Sequence, residues 1–190
     1  MIMKMLLERA LNPGDIINRR AVAAKLGMSM APVHEAMIQL ESDGVLRAVP
    51  RKGTIVTFLT PEETRDLFVL REAVECQAAR IYCGKTLRAS LGKFREMAEE
   101  LDDPGHATPF ERFASETRFH SELMRLAGNS RLAEVFDKTM LLAMLAVARE
   151  NSSGRMESPH DRLLEELSSD APDRAEAAIR DHITKPKRKT

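Results

Sequence analysis

The 190-residue sequence lacks an apolar run long enough to span a bilayer, and its first residues carry no signal-peptide pattern. Its longest apolar run, residues 140–148, is about half of the 18 or more residues that a membrane helix needs. These two absences exclude a membrane-spanning protein and predict a cytoplasmic one with no membrane partner.

Cysteine is also scarce, since Cys76 and Cys83 are the only two. They stand seven residues apart on one predicted helix, and we expect buried, reduced thiols rather than a disulfide or CxxC chemistry. Glycine and proline number nine each, while 43% of the residues are apolar and 31% are charged. This composition excludes disordered and collagen-like chains and indicates one or two globular domains.

The chain has no net charge, but its charges are unevenly divided. Residues 1–59 carry a net charge of +3, residues 60–184 carry −7 and residues 185–190 carry +4. A basic first third on an acidic remainder indicates a small polyanion-binding module attached to a larger body with another role. Two domains that merely differ in surface charge are the alternative.

The first 59 residues predict short helices followed by a β-hairpin. Cap and turn signals divide the helical part into three: one ending near Leu11, residues 20–26 closed by Gly27, and residues 29–44. Two β-prone runs, residues 45–49 and 54–58, flank a basic tip. The order is that of a helix-turn-helix with a two-stranded wing.

After residue 59 every segment predicts a helix, and no strand signal returns. Capping boxes with proline at the first helical position open two of these helices, at Thr60 and at Thr108. The other predicted helices are residues 87–101, a long one from Ser130 to about Arg149, a short one capped by Ser158, and one from Asp170 to Thr184. The fold class is therefore mainly α: an N-terminal winged helix-turn-helix (1–59), an all-α helical bundle (60–184) and a basic tail (185–190).

Specific residues in both parts resemble a known family. The winged part carries LNPGD at 11–15, AAKLGMS at 23–29, PVHEA at 32–36 and RKG at 51–53. The helical part carries LREAVE at 70–75, Phe119-His120, AGN at 127–129, and later His160 and His182. In this order they resemble the GntR family of bacterial transcription regulators, in its FadR-type branch with an FCD domain.

The resemblance implies a winged domain that binds double-stranded DNA. A recognition helix enters the major groove with its N-terminal residues toward the bases, and small residues near Ser29 permit that approach. Relatives usually carry arginine where this chain has Met30 and His34, so its base preference is expected to differ from theirs. The residues expected at the DNA are Arg19, Arg20, Ser29, Met30, His34, Arg51, Lys52 and Gly53.

Glu116 lies one helical turn before His120, so a carboxylate and an imidazole share a helix face. By spacing alone this pair is common by chance, and a satisfied core is a simpler interpretation than a metal site. FadR-type domains often bind a divalent ion through an aspartate at the first position, the following histidine and two later ones. The resemblance therefore implies a metal site of Glu116, His120, His160 and His182, suited to Zn, Ni, Mn or Fe, with glutamate replacing aspartate.

Arg71 sits beside an apolar helical stripe, where a charge is normally kept out. It is either a clamp for the carboxylate of a small effector, as the family's preference for organic acids implies, or the ion-pair partner of Glu75 one turn later. Asn129 follows Gly128 at a helix end, where a left-handed cap is a simpler interpretation than a ligand.

These features predict a metabolite-responsive transcription regulator, most often a repressor, that binds a near-palindromic operator as a homodimer. It is not expected to be an enzyme, because no general base accompanies the candidate metal ligands. A small helical metalloenzyme is nevertheless one alternative. The other is a DNA-binding protein whose C-terminal domain serves only for dimerisation.

Overall fold

In the computed structural model, residues 2–102, 108–150 and 160–184 are described. The basic tail at 185–190 and the cap predicted at Ser158 lie outside the described residues. The chain divides into two compact units, residues 1–64 and 65–190, at a point inside one long helix.

The first unit contains three helices and a two-stranded sheet. They are α1 (Ile2–Leu7), α2 (Arg19–Leu26), α3 (Met30–Ser42), β1 (Leu46–Val49) and β2 (Gly53–Val56). The strands are antiparallel, with Leu46 opposite Val56 and Val49 opposite Gly53. The predicted helix-turn-helix and wing are therefore confirmed.

Local signals explain the tight turn between α2 and α3. The Asn18 side chain accepts hydrogen bonds from two backbone N–H groups at the start of α2, and Gly27 ends that helix in the left-handed region, with φ +62°. Val22, Val33 and Met37 are buried, and α2 packs against α3. One expectation was wrong, since α1 ends at Leu7 rather than near Leu11, where turns replace the helix.

The second unit is built from helices. Beginning with the helix that crosses the division, they are α4 (Pro61–Tyr82), α5 (Lys85–Arg88), α6 (Leu91–Asp102), α7 (Pro109–Leu126), α8 (Ser130–Glu150), α9 (His160–Leu167) and α10 (Pro172–Thr184). Both predicted capping boxes are present, at Thr60 and Thr108. Helix α6 packs against α7 and α9, α7 against α8, and α9 against α10. Phe94, Phe119, Phe136 and Leu164 are buried at 1% exposure or less.

Two local predictions for this unit were wrong. The helix expected over 87–101 is two helices, because the Ser90 N–H donates to the Leu87 carbonyl in a tighter turn that interrupts the α-helical ladder. Asn129 is not a left-handed cap: Gly128 takes that conformation, with φ +65°. Instead, the Asn129 side chain accepts from the N–H groups of Arg131 and Leu132, so it caps α8 in place of Ser130.

None of the helices in the described ranges combines the length and the apolar character that crossing a membrane would require.

Candidate metal centre

Three helices of the second unit bring four of the predicted residues together. Glu116 and His120 lie one turn apart on α7, His160 is the first residue of α9, and His182 lies in the last turn of α10. One potential ligand atom from each lies within 4.8 Å of those of the other three. Glu116, His120 and His160 are buried, and His182 is partly exposed.

Three separations among these side chains are close to those expected between neighbouring ligands of one small cation. His120 Nε2 is 3.5 Å from Glu116 Oε1, His160 Nε2 is 3.4 Å from Glu116 Oε2, and His182 Nε2 is 3.3 Å from His120 Nε2. Four ligands held at about 2.1 Å from a tetrahedral ion would stand about 3.4 Å apart. With glutamate in place of aspartate, the carboxylate oxygens therefore still lie as far from the histidine nitrogens as two ligands of one ion would.

Two donor atoms at the centre have no hydrogen-bond partner among the described residues. Glu116 Oε1 and His160 Nε2 are both buried from solvent. An unsatisfied buried polar atom is costly, and a bound ion is one of its ordinary explanations. The residues at this site therefore fit a metal ion.

Two further carboxylates orient the histidine rings. Glu75 Oε2 lies 2.7 Å from His120 Nδ1, and Asp102 Oδ1 lies 2.8 Å from His160 Nδ1. Because an ionised carboxylate can only accept a hydrogen bond, each Nδ1 donates and each Nε2 faces the centre. Such carboxylate–histidine pairs are the usual outer layer of a protein metal site.

Arg71 belongs to this outer layer as well. Its Nε donates to Glu75 Oε1 at 2.6 Å, and both side chains are at least 95% buried. The structure thus contains the Arg71–Glu75 pair that the spacing allowed as one of two alternatives. The pair uses the guanidinium Nε, so an effector carboxylate at Arg71 would have to be held by the Nη groups.

Burial and neighbouring charges both shift the pKa values of the groups at this centre. Burial raises the pKa of Glu116, but contacts with His120 and His160 outweigh it and hold that pKa well below its usual value. Burial lowers the pKa of His160, yet Asp102 and Glu116 raise it to about 9. Burial, and then the charges of His120 and His160, lower the pKa of His182 well below its usual value. In the metal-free protein, protons supply positive charge that a divalent cation would otherwise bring.

Two phenylalanine rings, those of Phe119 and Phe136, lie next to the histidines of the site. Phe119 meets His120 and His160 edge-on, with ring centroids 5.4 and 4.9 Å apart, and is itself fully buried. Phe136 lies 6.5 Å from the His120 ring. Such walls limit the access of water and strengthen charge interactions at the ligands.

The predicted DNA-contacting residues lie in the first unit. Ser29, Met30 and His34 are exposed on the turn and the first turns of α3, Arg20 is exposed on α2, and the wing tip exposes Arg51, Lys52 and Gly53. Arg51 adopts a left-handed conformation, with φ +65°, which shapes the turn between the strands.

Arg19 differs from the other basic residues because it is engaged within the protein. Its Nη1 lies 3.3 Å from His34 Nδ1, while its Nη2 donates to Thr54 Oγ1 at 3.3 Å and lies 3.9 Å from Glu41. Since a guanidinium has only donors, His34 Nδ1 must accept, which leaves the proton on Nε2. This contact therefore leaves Nε2 as the donor nitrogen of the His34 ring.

Sequence reasoning missed the roles of Glu75 and Asp102 at the histidines. Glu75 was considered only as a partner of Arg71, and Asp102 is separated from His160 by 58 residues. One signal was available for Asp102: an acidic residue at the C-terminal end of a helix opposes the helix dipole. Such a residue indicates a compensating partner elsewhere.

Comparison with known proteins agrees with this architecture. Residues 1–56 match the model of bacterial regulatory proteins of the gntR family, and residues 66–185 match the FCD domain. The structure superposes on Escherichia coli McbR/YncC with a TM-score of 0.75 at 17% identity, covering 95% of this chain and 89% of that one. That likeness shows the fold.

Two curated relatives are transcriptional regulators. The chain is 30% identical over 120 residues to the Nta operon transcriptional regulator of Aminobacter aminovorans, covering 63% of this chain and 57% of that protein. It is 31% identical over 68 residues to the HTH-type transcriptional repressor RspR of Escherichia coli, covering 36% and 30%. The matches therefore span less than two thirds of either relative. On the two family models together, the chain belongs to the GntR family of bacterial transcriptional regulators, in the branch with an FCD domain, and not to a family of enzymes.

Proposed function

We propose that this protein is a metal-dependent, metabolite-responsive repressor that binds a near-palindromic operator as a homodimer in the cytoplasm. The observation that supports the proposal is the grouping of Glu116, His120, His160 and His182, whose potential ligand atoms lie within 4.8 Å of one another and could hold one cation. A resident Zn, Ni, Mn or Fe ion would supply open coordination positions for the carboxylate of a small metabolite.

The chain's own residues prepare that site. Glu75 and Asp102 turn His120 and His160 so that both present Nε2. The Nη groups of Arg71 are the candidate second contact for the metabolite's carboxylate. An effector can shift the arrangement of the helices only by its difference in affinity between two states, typically about 1 to 3 kcal/mol.

In the winged unit, the start of α3 is the candidate base-contacting element. Met30 and His34 lie one turn apart on it and are both exposed, at positions where the family resemblance implies that arginine is usual. His34 offers one donor at Nε2, whereas an arginine offers a bidentate pair to guanine. Arg51 and Lys52 on the wing are the candidate contacts to the phosphate backbone or the minor groove.

An exposed stripe on α4 supports a homodimer. Val69, Leu70 and Ile81 are exposed by 68%, 43% and 45%, and helical spacing places them with Ala73 and Gln77 on one face. Large exposed apolar side chains on one helix face are typical of a surface that another protein covers. A second copy of the chain is the proposed occupant, because paired half-sites require two DNA-binding units.

The experiment measures bound metal and DNA selection on the same purified protein. The wild type should bind zinc and enrich genomic fragments that share an inverted repeat at about 150 mM salt, where non-specific binding is weakened. His120→Ala and His160→Ala should abolish metal binding and blunt the response to the effector acid. His34→Ala, a histidine of the first unit, is the control that should keep the metal.

The two parts of the proposal fail separately. Unchanged metal content in both His120→Ala and His160→Ala would refute the metal site. Enrichment of an inverted repeat without bound metal or ligand-induced stabilisation would instead favour the alternative in which the second unit only dimerises.

A further inference from the structure

Asp102 contacts one candidate ligand at two different points. It is the last residue of α6, and His160 is the first residue of α9. The backbone N–H of His160 donates to Asp102 Oδ2 at 2.8 Å, and the ring Nδ1 lies 2.8 Å from Asp102 Oδ1. A single carboxylate therefore holds both the main chain and the imidazole of the same residue.

The main-chain contact satisfies the start of α9. The first N–H groups of a helix have no partner within it, and an acceptor carboxylate there also interacts favourably with the helix dipole. At the end of α6, by contrast, a carboxylate meets the negative end of the dipole. The position of Asp102 is thus unfavourable for its own helix and favourable for the helix that it caps.

The ring contact fixes the chemistry of His160. Since Asp102 accepts from Nδ1, the ligating nitrogen must be Nε2, which lies 3.4 Å from Glu116 Oε2 and has no hydrogen-bond partner among the described residues. Asp102 is itself only partly buried, with a side chain 30% exposed. It is therefore an anchor at the rim of the site rather than a ligand within it.

We infer that Asp102 is a positioning residue that holds His160 in its ligating orientation and thereby couples ion binding to the docking of α9 on the end of α6. This inference rests on the proposed metal site. An ion that orders the His160 ring orders the carboxylate bonded to it, and the same carboxylate holds the first N–H of α9. The coupling is reciprocal: whatever detaches α9 from α6 must lower the affinity for the ion.

Asp102→Asn tests the orientation with little change in shape. The amide oxygen can still accept from the His160 N–H, but the amide nitrogen would then donate to Nδ1. That reversal places the proton on Nε2, facing the centre, and blocks ligation. Asp102→Ala removes both contacts. Glu99→Gln, at an exposed carboxylate on the same helix, is the matched control.

The probe is Zn²⁺, titrated into the full-length protein against a competing chromophoric chelator. Both Asp102 variants should lose about 10- to 100-fold in zinc affinity, as is typical when an outer partner of a ligating histidine is removed, while Glu99→Gln should match the wild type. Thermal unfolding without zinc should show Asp102→Asn to be closer to the wild type than Asp102→Ala, because it keeps the cap.

Amide hydrogen exchange provides a readout of the coupling. Zinc should slow exchange at the start of α9 in the wild type and in Glu99→Gln, but not in Asp102→Ala. If the wild type binds zinc and both Asp102 variants bind it within twofold of the wild type, the inference is overturned while the metal site stands. If the wild type binds no zinc, the proposed metal site itself fails.

Discussion

Glu75 offers the sharpest test of how the buried charges are organised. Its two oxygens are divided between Arg71 Nε at 2.6 Å and His120 Nδ1 at 2.7 Å, and its side chain is 3% exposed. Glu75→Gln keeps the shape but leaves the Arg71 guanidinium buried without a counter-charge. Removing one partner of a buried pair costs about 3 to 5 kcal/mol, and we expect about 3 kcal/mol because the glutamine oxygen still accepts one hydrogen bond.

For a chain of this length, that loss lowers the midpoint of thermal unfolding by about 6 to 12 °C. The assay is thermal unfolding of the metal-free protein, followed by circular dichroism. The matched control is Glu72→Gln, one turn earlier on α4, where Glu72 pairs with Arg180 at 2.8 Å and the two side chains are 30% and 49% exposed. A surface pair is worth about 0 to 1 kcal/mol, so the control should shift by only a few degrees.

A second variant separates charge from packing. Arg71→Met combined with Glu75→Gln removes both charges together and should recover part of the stability, because buried pairs can often be replaced by neutral groups at little cost. Equal midpoints for Glu75→Gln and Glu72→Gln would refute the reasoning. A double variant less stable than Glu75→Gln would also contradict it.

Three further predictions follow from other parts of the molecule. Arg51→Ala should weaken binding to all DNA sequences alike and reduce the slope of log affinity against log salt by about 1; in a fluorescence anisotropy titration, a loss limited to one base position would contradict a backbone role. Arg19→Ala should instead alter base preference in a randomised-DNA selection, since it frees the His34 ring, and a uniform loss with unchanged preference would point to a phosphate contact. Phe119→Ala should destabilise the second unit by about 3 to 5 kcal/mol in denaturant unfolding, against less than about 1.5 kcal/mol for the volume-conserving Met124→Leu control.

The elements that sequence patterns predicted well were those with local causes. The capping boxes at Thr60 and Thr108, the Gly27 stop and the β-prone wing strands depend on signals within a few residues, and each element lies where it was expected. The error at Asn129 arose because two neighbouring residues carry similar capping signals. Asn129 and Ser130 are both good capping residues, and only the backbone path decides which side chain reaches the free N–H groups.

Helical spacing and the family resemblance predicted the four candidate ligands but not the residues that contact them. Glu116 and His120 share a face by helical period, and the family resemblance added His160 and His182; the structure brings the four together, while ion binding stays a prediction. The helix dipole could have drawn attention to Asp102, but its partner His160 was not predictable, because it is 58 residues away and no period links them. The same holds for Arg19, whose contact with His34 depends on how α2 and α3 pack.

The meeting of α7, α9 and α10 at one point has a consequence for the unfolded chain. The cysteines of the second unit are free thiols, so no disulfide between them closes a loop in it. A cation shared by His120 and His182 would close a loop of 62 residues, and a permanent link over that length would remove about 4 kcal/mol of chain entropy from the unfolded state. The ion would then act as a reversible cross-link. Removing it with a chelator would give back conformational entropy to the unfolded chain, as reducing a disulfide does in a secreted protein.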